Sequence, residues 1–163
     1  MRGRRWLGRL AWVVLLAAIY VGVRHYQQRT LIEGPAPALH AELVNGGRFD
    51  LATARGTPML VYFWATWCPV CRLEQGGIES LARDHQVVTV ALQSGEPAAV
   101  RTYLKEHGLR APVINDPDGA IAQAWGVRAT PALFFLDRDG RIRFRELGYT
   151  TEAGMRIRLW WLR

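Results

Sequence analysis

The run Met59–Trp64 and the segment directly after it constrain most strongly how this chain can fold. Six consecutive apolar residues predict a strand that is buried on both faces, as in the middle of a parallel or mixed sheet. Cys68 and Cys71 follow with the spacing C-x-x-C, and they are the only cysteines among the 163 residues. Pro69 suits the first turn of a helix, where its missing N–H costs no hydrogen bond. The segment therefore predicts a strand, a sharp turn, and a helix that begins at Cys68.

This placement predicts chemistry for the cysteine pair. The unpaired N–H groups and the dipole of a helix N-terminus favour a thiolate over a thiol, so Cys68 is the expected nucleophile. Cys71 lies one turn further along, close enough to form a disulfide with Cys68 and to resolve a mixed disulfide that Cys68 has made. One pair in a domain of this size does not build a disulfide scaffold.

Three other interpretations of the pair stay open at this point. An inert structural disulfide needs the same two cysteines. A zinc site needs four ligands, and the four histidines show no ligand pairing. A copper(I)-binding module would suit two soft thiolates, but the chain has only three methionines and no histidine next to the pair. We expect no metal and no bound cofactor.

The positive charge of the chain is concentrated at its N-terminus. The formal net charge is +7, yet residues 1–29 contain six arginines and no acid, whereas the remainder has 15 basic and 14 acidic residues. A protein that binds nucleic acid carries its positive charge on the folded domain. We therefore expect no nucleic-acid partner.

An apolar, charge-free run occupies residues 10–23. Together with its flanks, which include Trp6 and Tyr26, it reaches about 20 residues, the length of a membrane span. No small-residue cleavage site follows Val23 directly, which favours an uncleaved signal anchor over a cleaved signal peptide or a buried soluble helix. The arginine-rich tip should stay in the cytoplasm, which places the domain on the oxidising side, where disulfides form. The predicted division is a basic tip at 1–9, a transmembrane anchor at 10–26, a linker at 27–38 and a domain at 39–163.

Strand and helix signals alternate along the predicted domain. A β-hairpin at residues 39–51 comes first, with a glycine-bearing turn at 45–47. Leu73, Ile78 and Leu81 are expected on or near the inner face of the helix that follows Cys68. The further strands are predicted at 87–92, 112–114, 132–136 and 142–147, and the further helices at 97–107, 121–125 and from Thr150 or Thr151 onward. This order predicts an α/β fold with a central mixed β-sheet flanked by helices on both faces.

The residues at 63–71, with Thr130-Pro131 about 60 residues later, resemble the thioredoxin superfamily. The N-terminal hairpin, the anchor and residues 148–152 are similar to the membrane-anchored TlpA-like disulfide oxidoreductases, especially the suppressor-for-copper-sensitivity D type. The resemblance implies a thioredoxin-like fold in which Pro131 is cis and faces the cysteines. It also implies that the backbone of Thr130 pairs with an extended partner segment and that Trp67 flanks the partner groove. Trp64 is a second, weaker candidate for that groove.

Two positions depart from the family patterns: Tyr62 departs from thioredoxins, and Gly76, followed by Gly77, stands where the TlpA-like branch tends to have a helix-kinking proline. Thioredoxins carry a buried aspartate where this chain has Tyr62, so a proton acceptor is missing there. The TlpA-like branch often has a glutamate three residues after the second cysteine, and Glu74 fits that position. Glu74 is therefore a candidate proton relay for Cys71, and the alternative that it is a solvated carboxylate on the helix face stays open.

These observations predict a thiol:disulfide oxidoreductase in the bacterial inner membrane, with a single span and its domain in the periplasm. It would exchange electrons with extracytoplasmic protein thiols and disulfides through Cys68 and Cys71. A membrane redox partner would donate or accept the electrons. Tyr62 favours a partner-selective reductant over a general one, and cytochrome c maturation is a related role in the same class. The direction of electron flow stays open, because dithiols of this kind span about −270 to about −120 mV.

Overall fold

A computed structural model of the protein describes residues 12–16, 18, 19, 22, 23 and 29–163. The described residues before Arg29 are helical, and their large apolar side chains are exposed, Trp12 by 67%. None of the helices in the described ranges is long and apolar enough to span a bilayer. The predicted tip, at 1–9, and much of the predicted anchor, at 10–26, lie outside the described residues.

Six strands form the central sheet, in the order β1-β8-β7-β4-β5-β6. A separate two-stranded hairpin pairs β2 with β3. The central strand β4 is parallel to β5 and antiparallel to β7, so the predicted mixed sheet is confirmed. The strands are β1 (Gly34–Pro35), β2 (His40–Glu42), β3 (Arg48–Asp50), β4 (Met59–Trp64), β5 (Gln86–Leu92), β6 (Val113–Asp116), β7 (Ala132–Leu136) and β8 (Arg141–Leu147).

Helices cover both faces of this sheet, as predicted. They are α1 (Pro69–Asp84), α2 (Pro97–Glu106), α3 (Ala120–Ala124) and α4 (Glu152–Trp161). One buried cluster joins Leu60, Tyr62 and Trp64 of β4 to α1, α2 and α4. The other joins alternate β4 residues, such as Val61 and Phe63, to α3 and to the segment before β4. Successive side chains of a strand point to opposite faces, so burial on both faces requires the continuous apolar run.

Helix α1 presents a narrower inner face than the sequence predicts. Its buried residues are Cys71, Glu74, Ile78 and Leu81, which recur at helical spacing. Leu73 was expected on or near this face, but it is 74% exposed, so that prediction is wrong. The reason is geometric, because two residues along a helix turn by about 200°, which places Leu73 opposite Cys71.

Part of the predicted linker is in contact with the domain. Leu31 and Leu39 are buried among the residues of the α3 face. Between them, β1 pairs antiparallel with β8, and Ala36 N–H donates to the Gly140 carbonyl (3.1 Å). The chain therefore runs along the domain surface from Leu31 onward.

Candidate redox site

Cys68 is the N-cap residue of α1, at the carboxyl end of β4. Strand β4 ends at Trp64, the chain turns, and Cys68 N–H donates to the Ala65 carbonyl (3.2 Å). The extended backbone of Cys68 aims its Sγ back at the helix, where it accepts the N–H of Cys71 (3.1 Å). Pro69 opens the first turn. The sequence folds this way because Pro69 cannot continue a strand ladder but fits a helix start.

Cys68 and Cys71 form a disulfide, with their Cα atoms 5.3 Å apart. Both are buried, Cys71 completely, since it faces the sheet from the first turn of α1. Attack from outside is therefore directed to Cys68, and Cys71 lies behind it. This is the asymmetry that a nucleophile and a resolving thiol require.

The loop before β7 lies directly against this disulfide. The Thr130–Pro131 peptide bond is cis, and the Thr130 carbonyl oxygen lies 3.7 Å from Cys68 Sγ. The Pro131 carbonyl accepts the N–H of Gly148 (2.9 Å), which ties this loop to the end of β8. Thr130 thus presents backbone beside the reactive sulfur, at the position expected for pairing with an extended partner segment.

The two tryptophans near the cysteines occupy different environments. Trp64 is buried, and its Nε1 donates to Thr89 Oγ1 (3.1 Å), which places it in the core. Trp67 is 57% exposed, and its Nε1 donates to the Gln93 carbonyl (3.1 Å). Of the two candidates, the structure leaves Trp67 accessible at the rim of the site.

Large apolar side chains are exposed on the segment that carries the cysteines and in the loop after β8. They are Trp67, Val70, Leu73 and Tyr149. Large exposed apolar side chains grouped in this way mark a contact surface for another molecule. Val70, Leu73 and Tyr149 are the members that the sequence analysis did not predict. The position of Leu73 two residues after Cys71 in a helix, and the position of Tyr149 directly after Gly148, could have indicated that these side chains are exposed.

Glu74 is buried on the inner face of α1, next to Tyr62 of β4. Its Oε1 accepts the backbone N–H of Thr150, whereas its Oε2 is buried without a hydrogen-bond partner among the described residues. Burial raises the pKa of the Glu74 carboxyl to about 7, against the lowering effect of hydrogen bonds from Thr150 N–H and from the Tyr62 hydroxyl. A carboxyl with such a pKa can take and release a proton near neutral pH.

Tyr62 has a role in this group that the sequence did not indicate. Its hydroxyl lies 3.5 Å from the carbonyl oxygen of Cys71. Burial and, next, the nearby Glu74 carboxyl raise the pKa of Tyr62 far above its ordinary value, so it stays a protonated donor. Tyr62, which departs from the thioredoxin pattern, and Glu74, which fits the TlpA-like one, are therefore neighbours close to Cys71. The alternation of β4 and the helical spacing of α1 could have indicated that both side chains face the space between this strand and this helix.

The described residues offer little to a metal ion. Within the described ranges, no three side chains of His, Cys, Asp or Glu are grouped so that they could hold one. Of the methionines, Met59 and Met155 are buried in the core clusters.

Comparison with known proteins places the chain among redox proteins. The profile of the AhpC/TSA family matches residues 32–145. The "Thioredoxin-like protein" of Haemophilus influenzae is 32% identical over 143 residues, which are 86% of this chain and 85% of that protein. The "Thiol:disulfide interchange protein DsbE" of Pseudomonas fluorescens biotype C is 33% identical over 152 residues, 92% of this chain and 85% of that protein. A solved thiol:disulfide interchange protein of the thioredoxin family from Chlorobium tepidum TLS is 25% identical, with a TM-score of 0.69. That similarity covers 80% of this chain and 97% of the solved one.

Proposed function

Because this chain belongs to the AhpC/TSA family and is a thioredoxin-like thiol:disulfide oxidoreductase, we propose that it is a partner-selective reductant of proteins outside the cytoplasm. The predicted membership of the thioredoxin superfamily is confirmed. The observation that carries the proposal is the position of Cys68, between the N-terminus of α1 and the Thr130 carbonyl, with Cys71 behind it. The nucleophile, the resolving thiol and a backbone for partner pairing thus meet at one point.

The reaction passes two electrons and two protons to the partner. The Cys68 thiolate attacks a partner disulfide; a Cys68–partner bond forms, the partner's S–S bond breaks, and the leaving sulfur takes a proton. The Cys71 thiolate then attacks Cys68 Sγ, the Cys68–partner bond breaks, and the partner's second sulfur takes a proton. The Cys68–Cys71 disulfide that remains must be reduced by another dithiol before the next cycle.

Glu74 is the proposed proton relay for the second step. Cys71 must lose its proton to attack, and it is fully buried, so bulk water does not reach it. Glu74 lies three residues further along the same helix, on the same face, and its pKa of about 7 suits it to accept that proton. The carboxyl is held in position by the N–H of Thr150, and the Tyr62 hydroxyl lies close to the backbone of Cys71.

Partner recognition is assigned to Thr130, Pro131 and Trp67. The cis Pro131 turns the chain so that the Thr130 backbone faces outward beside Cys68, where it can pair with an extended segment. Trp67 offers an aromatic face at the rim for the side chains next to the partner's cysteine. These contacts would select partner proteins whose cysteine lies in an extended segment that fits this surface.

The location we propose is the bacterial inner membrane, with residues 10–26 as a single-pass anchor and the domain in the periplasm. The exposed apolar side chains of the described helical residues between 12 and 23 support this, as does the arginine-rich tip. A dithiol membrane protein would then reduce Cys68–Cys71. Membrane pellets washed at high pH should retain the full chain, and release into the wash would contradict anchoring.

The redox proposal is tested by trapping. Cys71→Ser leaves Cys68 able to attack but unable to be resolved, so mixed disulfides with partner proteins should accumulate in membranes and disappear on reduction. The matched control, Cys68→Ser, should trap at least tenfold less. If the wild-type protein neither reduces a peptide disulfide nor exchanges with glutathione, the proposed oxidoreductase activity is refuted.

A second measurement tests the direction of electron flow. A reductant needs a potential near the lower end of the range from about −270 to about −120 mV, measured by equilibration with glutathione. A value near the upper end would make the protein an oxidant. The copper(I) alternative stays a prediction, which a Cu(I) titration of the reduced protein would decide.

A further inference from the structure

The N-terminal segment joins the domain at a particular edge of the sheet. Arg29 and Thr30 line a surface cleft together with Gln93, Gly126 and Arg128. Gln93 follows directly after the carboxyl end of β5, and Gly126 and Arg128 belong to the loop between α3 and β7. The chain thus enters the fold where the parallel strands end.

The entering segment is packed tightly against that edge. Gly126 has a φ of +68°, and a Cβ on it would lie 1.9 Å from the Thr30 carbonyl oxygen, so only glycine permits this approach. Ile32 N–H donates to the Trp125 carbonyl (3.5 Å), and Leu31 is buried. The point of entry is therefore fixed relative to the domain.

The same edge carries the redox site. Gln93 lines the same cleft as Arg29, and its carbonyl accepts a hydrogen bond from Nε1–H of Trp67. Arg128 also lines the cleft and precedes Thr130 by two residues, and the Thr130 carbonyl lies 3.7 Å from Cys68 Sγ. The lining of the entry cleft is therefore connected to the redox site through Trp67 on one strand end and through the Thr130 loop on another.

The connection to the N-terminal helix is short. Val23 is helical, and five residues separate it from Arg29, so the two Cα atoms lie at most about 20 Å apart. A domain of about 135 residues has a radius of gyration of about 14 Å and a diameter of about 35 Å. Because this span is shorter than the domain diameter, the domain cannot turn its entry edge away from Val23.

From this juxtaposition we propose that the redox edge is held against the membrane surface. The inference rests on the proposed anchoring. The partners are then disulfides or dithiols that membrane proteins display close to the bilayer, and height above the membrane selects among them. The opposite edge, which contains the turn between β7 and β8, faces the periplasm.

Orientation is tested with a fluorophore at one of two matched positions. Full-length protein with both Cys68 and Cys71 replaced by Ser receives a single cysteine, either Asp118→Cys at the redox edge or Asp139→Cys in the turn at the opposite edge. Both aspartates are exposed. In vesicles with a quencher on the lipid headgroups, the label at position 118 should lose at least three times as much emission as the label at position 139. Equal or reversed quenching overturns the proposal.

Selection by height is tested with vesicles that display a peptide disulfide on a lipid through a short spacer. The control variant carries 40 Gly/Ser residues inserted between Gln28 and Arg29, a chain with an r.m.s. length of about 35 Å. Wild-type protein should reduce the short-spacer disulfide at least threefold faster than this variant. Both should reduce the same peptide in solution at equal rates.

The outcomes separate the proposals. If neither protein reduces the soluble peptide, the proposed redox function fails. If the wild-type chain does not stay with the vesicles, the proposed anchoring fails. If both hold, and the two proteins reduce the short-spacer disulfide equally fast, only the orientation proposal is overturned.

Discussion

The buried carboxyl of Glu74 should make the protein less stable as the pH rises. In the unfolded chain this group ionises near pH 4.5, whereas the folded protein holds its proton up to about pH 7. Between these values the unfolded state binds fewer protons, so the free energy of unfolding falls with increasing pH. At about 1.36 kcal/mol per pH unit, the loss of stability amounts to about 3 kcal/mol; it is complete above pH 7 and absent below pH 4.5.

Glu74→Gln should remove this dependence. The amide oxygen can still accept the Thr150 N–H, and the side chain has no charge to bury at any pH. Its NH2 group replaces the unpartnered Oε2, which costs about 1–3 kcal/mol at every pH. The variant should therefore be less stable than the wild type at pH 5 and equally or more stable at pH 8.

The assay is urea unfolding of the oxidised protein at pH 5 and pH 8, followed by tryptophan fluorescence. Glu106→Gln is the matched control, because it removes the same charge from an exposed position at the end of α2. The control should change with pH as the wild type does. If the stability difference between wild type and Glu74→Gln stays within about 0.5 kcal/mol between the two pH values, the carboxyl is not held protonated and the proton-relay assignment loses its basis.

Three further results are expected. Tyr62→Phe removes a hydrogen bond that lowers the pKa of Glu74, so an NMR titration of that carboxyl should move upward; a downward move would contradict the assignment. Gly126→Ala should release the N-terminal segment, because the added Cβ meets the Thr30 carbonyl and the left-handed conformation costs about 1–2 kcal/mol more; protease cleavage near Thr30 should accelerate, and unchanged cleavage would contradict the packing. Trp125→Ala should cost about 3–5 kcal/mol in thermal unfolding, whereas Trp125→Phe should cost less, since it also removes a buried N–H that has no partner among the described residues; equal losses would argue against that N–H being unsatisfied.

The strand, turn and helix around the cysteines could be predicted because the information is local. Six apolar residues require burial on both faces of a sheet, and Pro69 requires a helix start directly after Cys68. The same applies to the mixed sheet, whose strands alternate with helices along the chain. The prediction that Leu73 lies on or near the buried face of α1 was wrong. The sequence alone does not distinguish an apolar residue of the buried helix face from an apolar residue that is exposed on a contact surface.

Long-range contacts account for what the sequence did not indicate. Glu74 is buried, and its carboxyl accepts the N–H of Thr150, 76 residues away. Almost any residue type can supply a backbone N–H, so the sequence does not reveal this donor. Gly34-Pro35 has the composition of a tether, yet it pairs through its backbone with β8. The position of Arg29 at the redox edge likewise depends on Gly126, whose role as a close-approach site becomes visible only when Thr30 is placed against it.

The segment between Leu31 and β4 pairs with both margins of the central sheet over part of their length. Strand β1 lies along the start of β8, and at the far side Val44 N–H donates to the Val113 carbonyl of β6 (2.8 Å) while Leu43 bridges to Ile114. Open strand margins recruit foreign strands and begin aggregation. A protein that repeatedly meets incompletely folded clients would be vulnerable to such co-aggregation. If clients pair with Thr130 as proposed, the partly covered margins would let a client strand leave after the reaction without adding itself to the sheet.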